Sequence, residues 1–145
     1  LNQPQFSNNA SIYFPEQKFS FTRLYEPQNR SSIMSPKDKT CIVLEVPCDI
    51  DDHLYKCSFD EFKKTIETEL IIYGLLNEDK IEHFKEDLIP NAYPVLSLDM
   101  EQKLCILKQY LATFENLELL GRNANFEYTH THNLFFEAQK KVDEF

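Results

Sequence analysis

Apolar and polar positions alternate in the first third of the chain and then change to a helical spacing. Ser11-Ile12-Tyr13-Phe14 is short and β-prone, and Pro15 ends it. Ser20 to Tyr25 alternates, with Phe21, Arg23 and Tyr25 on one face and Thr22 and Leu24 on the other. Residues 26–39 are turn-rich. Thr40-Cys41-Ile42-Val43-Leu44-Glu45-Val46 is the strongest strand signal, apolar on both faces, which suits a central strand.

Ser58-Phe59-Asp60-Glu61 has the form of a capping box. Behind it Phe62, Ile66, Leu70 and Tyr73 recur at helical spacing, and Gly74 offers a stop, so a helix is predicted over 59–74. Residues 79–89 fit either type: Ile81, Phe84 and Leu88 have helical spacing, while Glu82, Phe84, Glu86 and Leu88 alternate. Pro90 and Pro94 bracket an extended segment. Leu104, Leu107, Leu111 and Phe114 predict a helix over 99–114 with a core-facing stripe. Leu117–Leu120 reads as a short buried strand, broken by Gly121. Phe126 and Tyr128 alternate, and a last helix begins near Thr131 with Leu134, Phe135 and Ala138 on one side. Strands first and helices later, without internal repeats, indicate an α+β fold, mainly an antiparallel sheet with flanking helices.

Composition narrows the function. The 145 residues suffice for one domain with a real core, and 13% aromatic content opposes disorder. Two glycines are too few for a phosphate-cradling loop. A first residue that is Leu suggests a piece of a longer chain. A net charge of −9 disfavours binding to a nucleic-acid polymer. No apolar run is long enough for a membrane span, and the first residues lack a signal-peptide pattern. Cys41, Cys48, Cys57 and Cys105 form no CxxC pair and read as buried free thiols in a reducing cytoplasm.

Few residues carry candidate chemistry. Gly121 permits close backbone approach, Arg122 offers a planar fork for phosphate, and the helix start near Thr131 presents free N–H groups. Together they make a sensible anion site; a tight turn with a surface arginine is the plainer alternative. Cys48, His53 and Cys57 match no standard metal spacing, and Asp49, Asp51 and Asp52 lack the rest of a calcium loop, so no metal is expected. His130 and His132 form at most a weak chelating pair. No nucleophile motif is present.

Three short segments carry a resemblance, and a fourth, Cys41 to Pro47, fits the same pattern. Gly121 to Ala138 (GRNANFEYTHTHNLFFEA), with Tyr128 six residues after Arg122, resembles the C-terminal Gly-Arg segment of FAD-dependent amine-oxidoreductase-like flavoproteins. UDP-galactopyranose mutase and protoporphyrinogen-oxidase-like proteins are the nearest types. Phe21 to Glu26 is similar to their Thr-Arg strand, Pro90 to Val95 to their Ala-Tyr-Pro-Val stretch, and Cys41 to Pro47 to their strand ending in Glu-Val-Pro. At His130 and Thr131 the sequence departs from the Asp-Met pair usual in the mutases.

The resemblance implies roles. Gly121 and Arg122 would meet the FAD pyrophosphate, and the backbone of His130 and Thr131 the pyrimidine edge of the flavin. Arg23, Tyr93 and Tyr128 would face a small or nucleotide-linked substrate. The Gly-rich unit that binds the ADP half is missing. The chain is therefore expected to be the C-terminal, substrate-binding part of a two-domain FAD-dependent oxidoreductase or mutase-like enzyme. It would hold no FAD and be inactive alone, and it would need the FAD-binding N-terminal portion of its parent. The expected layout is a flexible lead-in (1–10), a substrate-binding α+β region (11–116) and the segment completing the FAD site (117–145). The alternative is a non-enzymatic α+β binding or interaction module.

Overall fold

A computed structural model describes residues 1–144, which divide into two compact units, the first Leu1–Asp87 and the second from Leu88 onward. The sequence reading placed the boundary near 116. The fold is α+β: a three-stranded antiparallel sheet and five helices among the described residues.

The sheet belongs to the first unit. Its strands are β1 (Ile12–Tyr13), β2 (Arg23–Tyr25) and β3 (Val43–Glu45), in that order. Leu24 pairs with Ile12 on one side and with Leu44 on the other, so these three share one face. That face packs on α2 (Phe59–Ile72), whose Phe62, Ile66 and Leu70 recur every fourth residue. Ser58 Oγ accepts the Glu61 N–H at 3.3 Å, half of the expected capping box. The Glu61 carboxylate turns instead to His53, at 3.2 Å, on the short helix α1 (His53–Lys56). Gly74, at φ +68, ends α2 in the left-handed conformation, and the N–H groups of Leu75 and Leu76 close back on the Leu70 carbonyl.

Several expectations need correction. The Thr40–Val46 strand is an edge strand rather than a central one, because β2 is the strand with neighbours on both sides. Only three of its residues pair, since β2 is itself ended by the turn at Pro27–Asn29. Phe21 and Leu24 are both fully buried, although alternation puts them on opposite faces. The chain bends at Thr22 just before β2, which returns Phe21 to the core. There it packs with Phe14 and Phe19, ring centroids 4.9 and 5.2 Å away.

The lead-in is tied down. Leu1 and Thr40 exchange two backbone hydrogen bonds, Asn2 donates to the Lys80 carbonyl, and the N–H groups of Phe6 and Ser7 reach the Glu26 carboxylate. The thiols are not buried: Cys41 and Cys105 are exposed, and Cys48 and Cys57 half-buried. Residues 81–89 form neither a helix nor a strand.

The second unit holds α3 (Met100–Leu111), the single turn α4 (Arg122–Asn125) and α5 (Thr131–Asp143). None of its described residues is buried. The stripe on α3 is thus not core: Leu104 and Leu111 are half-covered, and Leu107 and Phe114 exposed. Leu117–Leu120 forms no strand: among the described residues it has no ladder partner. An ion pair of 3.1 Å from Glu118 to Lys141 connects it to α5 instead. Among the described residues, no helix is long and apolar enough to cross a membrane.

Candidate site around Arg122

Gly121 opens the site. Its φ of +89 is strained for any side chain, and the space where a Cβ would point is empty. Arg122–Asn125 then makes one helical turn, fastened by the Asn125 N–H to the Gly121 carbonyl at 3.0 Å. Phe126 ends the turn in the left-handed region, at φ 57 and ψ 42. The Glu127 N–H reaches back to the Arg122 carbonyl at 3.0 Å, and the Phe126 N–H to that of Asn123 at 3.3 Å. This closure reverses the chain and returns Tyr128 to Arg122.

The result is a planar cation held against two rings. The Arg122 guanidinium carbon lies 4.8 Å from the Tyr128 ring centroid and 5.2 Å from that of Tyr93. The two tyrosine rings stack on each other, 5.8 Å apart and 30° from parallel. His130 meets Tyr128 edge-on at 6.3 Å, and His132 lies parallel to His130 at 5.7 Å. Tyr93 and Tyr128 are both more than half exposed. Among the described residues, Arg122 has no carboxylate partner and donates no hydrogen bond. Its neighbour Asn125 instead donates to Glu137 on α5, at 3.0 Å.

The start of α5 adds donors. His130, in extended conformation, gives no side-chain cap, and its carbonyl accepts the N–H groups of Asn133 and Leu134. The N–H groups of Thr131 and His132 therefore point out of the helix without an internal acceptor. An unneutralised guanidinium beside exposed aromatic faces can bind an oxyanion in its plane while a flat group lies on a ring.

Arg23 belongs to the first unit. Its side chain is paired with Glu45 across the sheet, and its guanidinium lies 5.4 Å from the Tyr25 ring. A hydrogen bond with Tyr13, against some burial, and the pairing with Glu45 raise its pKa further. Its charge is thus taken up within the sheet. Among the described residues no group of three or more His, Cys, Asp or Glu is placed to hold a metal. Burial, and then the charges of Asp52 and Asp49, push the Cys48 thiol up, which makes it a poor nucleophile.

The structure therefore brings together Gly121, Arg122, Tyr93, Tyr128, His130 and Thr131 within the second unit, while Arg23 belongs to the first. Sequence reasoning missed Asn91 and Phe126, the residues whose left-handed backbone precedes each tyrosine. Asn91, between Pro90 and Tyr93, had a local signal, since asparagine tolerates that conformation. Phe126 had none. No family model, curated protein or solved structure matches the chain.

Proposed function

We propose that the chain is the C-terminal, substrate-binding part of an FAD-dependent oxidoreductase or mutase-like enzyme of the amine-oxidoreductase type, working in the cytoplasm. One observation carries this reading. Tyr93 and Tyr128, distant in sequence and both singled out by their motifs, stack on each other with Arg122 against both rings.

The residues suit one edge of the cofactor. The unpaired Arg122 guanidinium and the open space beside Gly121 fit a pyrophosphate. The free N–H groups at the start of α5 suit the negative charge of a reduced flavin ring. FAD supplies the redox or nucleophilic chemistry when bound. The chain's own residues bind and orient: Arg122 holds the anion, and Tyr93 and Tyr128 offer ring faces to a small or nucleotide-linked substrate. With two glycines the chain has no unit for the ADP half, so the FAD-binding N-terminal portion of the parent chain is its partner.

The test uses the reading frame that contains this sequence. It should encode Gly-x-Gly-x-x-Gly upstream, and its purified product should be yellow with a flavin absorption band. Arg122→Ala should lower the flavin content, since a charge-assisted contact to phosphate is worth about 1.5–3 kcal/mol. A colourless full product overturns the reading. The second reading, a non-enzymatic binding module, is favoured by Arg23, whose guanidinium is engaged by Glu45 rather than free for a ligand.

A further inference from the structure

Two non-glycine residues among those described have a left-handed backbone, Asn91 at φ 54 and Phe126 at φ 57. Each lies two positions before one of the stacked tyrosines. Asparagine accepts this conformation, whereas a bulky side chain there is an outlier. The Phe126 side chain remains partly open to solvent, at 36% exposure.

The spacing between Arg122 and Tyr128 explains why such a residue is needed. On a continuous helix, residues six apart point about 120° away from each other and lie about 9 Å apart along the axis. On a strand they share a face but lie roughly 20 Å apart. Neither geometry allows the observed 4.8 Å contact. One helical turn closed by a left-handed residue does allow it, because the chain then doubles back on its own first carbonyl. The bonds from Glu127 to Arg122 and from Phe126 to Asn123 are that closure.

We infer that Phe126 is a positioning residue of the Arg122 site, acting through its backbone. Its left-handed turn sets the Arg122–Tyr128 distance. It also holds the guanidinium beside the two rings, which leaves its N–H groups as the part that can meet an anion. The importance of this for ligands rests on the functional reading above. The geometry itself does not.

The test compares Phe126→Val, Phe126→Gly and Phe126→Asn in the full chain. A β-branched residue resists the left-handed region, whereas Gly and Asn accept it without supplying the ring. The first readout is the nuclear Overhauser contact between the Tyr93 and Tyr128 rings, with no ligand present. Wild type, Phe126→Gly and Phe126→Asn should show it, and Phe126→Val should lose it. The second readout is titration with inorganic pyrophosphate, followed at the Arg122 side-chain N–H. The dissociation constant should rise several-fold in Phe126→Val, because a β-branched side chain resists the left-handed region more than phenylalanine does, and should rise no more than about twofold in the other two. Retention of the ring contact in Phe126→Val overturns the inference. So does its loss in all three variants, which would make the ring rather than the backbone responsible. If wild type keeps the ring contact but ignores pyrophosphate, the functional reading fails, while the ring contact still decides the role of Phe126.

Discussion

The Thr40 hydroxyl donates a hydrogen bond of 2.6 Å to the carboxylate of Glu26, and these two are the buried polar side chains of the first unit. The Phe6 and Ser7 N–H groups, at 2.9 and 2.8 Å, and the Gln28 and Asn29 side-chain amides donate to the same carboxylate. Among the described residues no cation pairs with it. Neutral donors on five residues, from three stretches of the chain, share one buried negative charge, which makes Glu26 the knot that ties residues 1–9 to the sheet.

Glu26→Gln keeps the shape but turns an N–H₂ group toward donors that need an acceptor. Buried donors left unsatisfied cost about 1–3 kcal/mol. The variant should melt at lower temperature and exchange the Phe6 and Ser7 amides faster. Unchanged exchange at both amides would remove the proposed anchor.

The same contact makes stability depend on pH. Burial works to raise the Glu26 pKa, but hydrogen bonds from Thr40, Phe6, Ser7 and Gln28 outweigh it and hold the carboxyl below its ordinary value. A depressed folded pKa gives stability that is present above the unfolded value and lost as pH falls through the folded one. The stability gap between wild type and Glu26→Gln, read from urea midpoints, should be constant near neutrality and narrow below about pH 5. A gap that widens on acidification would reverse the assignment.

Ile66 is fully buried between α2 and the sheet. Ile66→Ala should cost about 2–5 kcal/mol, the sum of lost transfer energy and the cavity left behind. Exposed Ile72 on the same helix provides the contrast: Ile72→Ala should change stability by less than about 0.5 kcal/mol. Equal effects at both positions would mean that α2 packs through a different face.

Thiol reactivity should follow exposure. Cys41 and Cys105 are open to solvent, whereas Cys48 is half-buried with its thiol pushed up by burial and by Asp52 and Asp49. A chromogenic disulfide reagent at neutral pH should modify Cys41 and Cys105 before Cys48, as read by peptide mass mapping. Early labelling of Cys48 would show that its loop opens readily.

On the proposed reading, Tyr93→Phe in the full-length product keeps the ring stack and removes the hydroxyl. Flavin content should be unchanged, and the effect should fall on substrate handling. Loss of flavin in Tyr93→Phe would place Tyr93 in cofactor binding instead.

Much of the helical structure was legible. The Phe62/Ile66/Leu70 spacing, Ser58 at the start and Gly74 at the end mark α2 because all three are local devices, and local devices survive in sequence. Strand lengths were not legible. Thr40–Val46 has the composition of a seven-residue strand, yet only Val43–Glu45 pairs, because pairing is decided by the partner. Leu117–Leu120 fails in the same way, since among the described residues no strand pairs with it. Phe21 was placed on the wrong face because a bend at Thr22 leaves no hydrophobic signature. The members of the Arg122 cluster could be named from their motifs. Their stacking could not, since it depends on a left-handed phenylalanine that no local rule anticipates.

The second unit, without a single buried residue among those described, bears on how the chain unfolds. Heat-capacity change and denaturant sensitivity both scale with the surface newly exposed on unfolding. Side chains already in water add little to either. Helices of 12 and 13 residues held mainly by local forces also melt gradually rather than all at once. A calorimetric trace of the whole chain should therefore contain one sharp transition, sized for the first 87 residues, upon a broad slope from the rest.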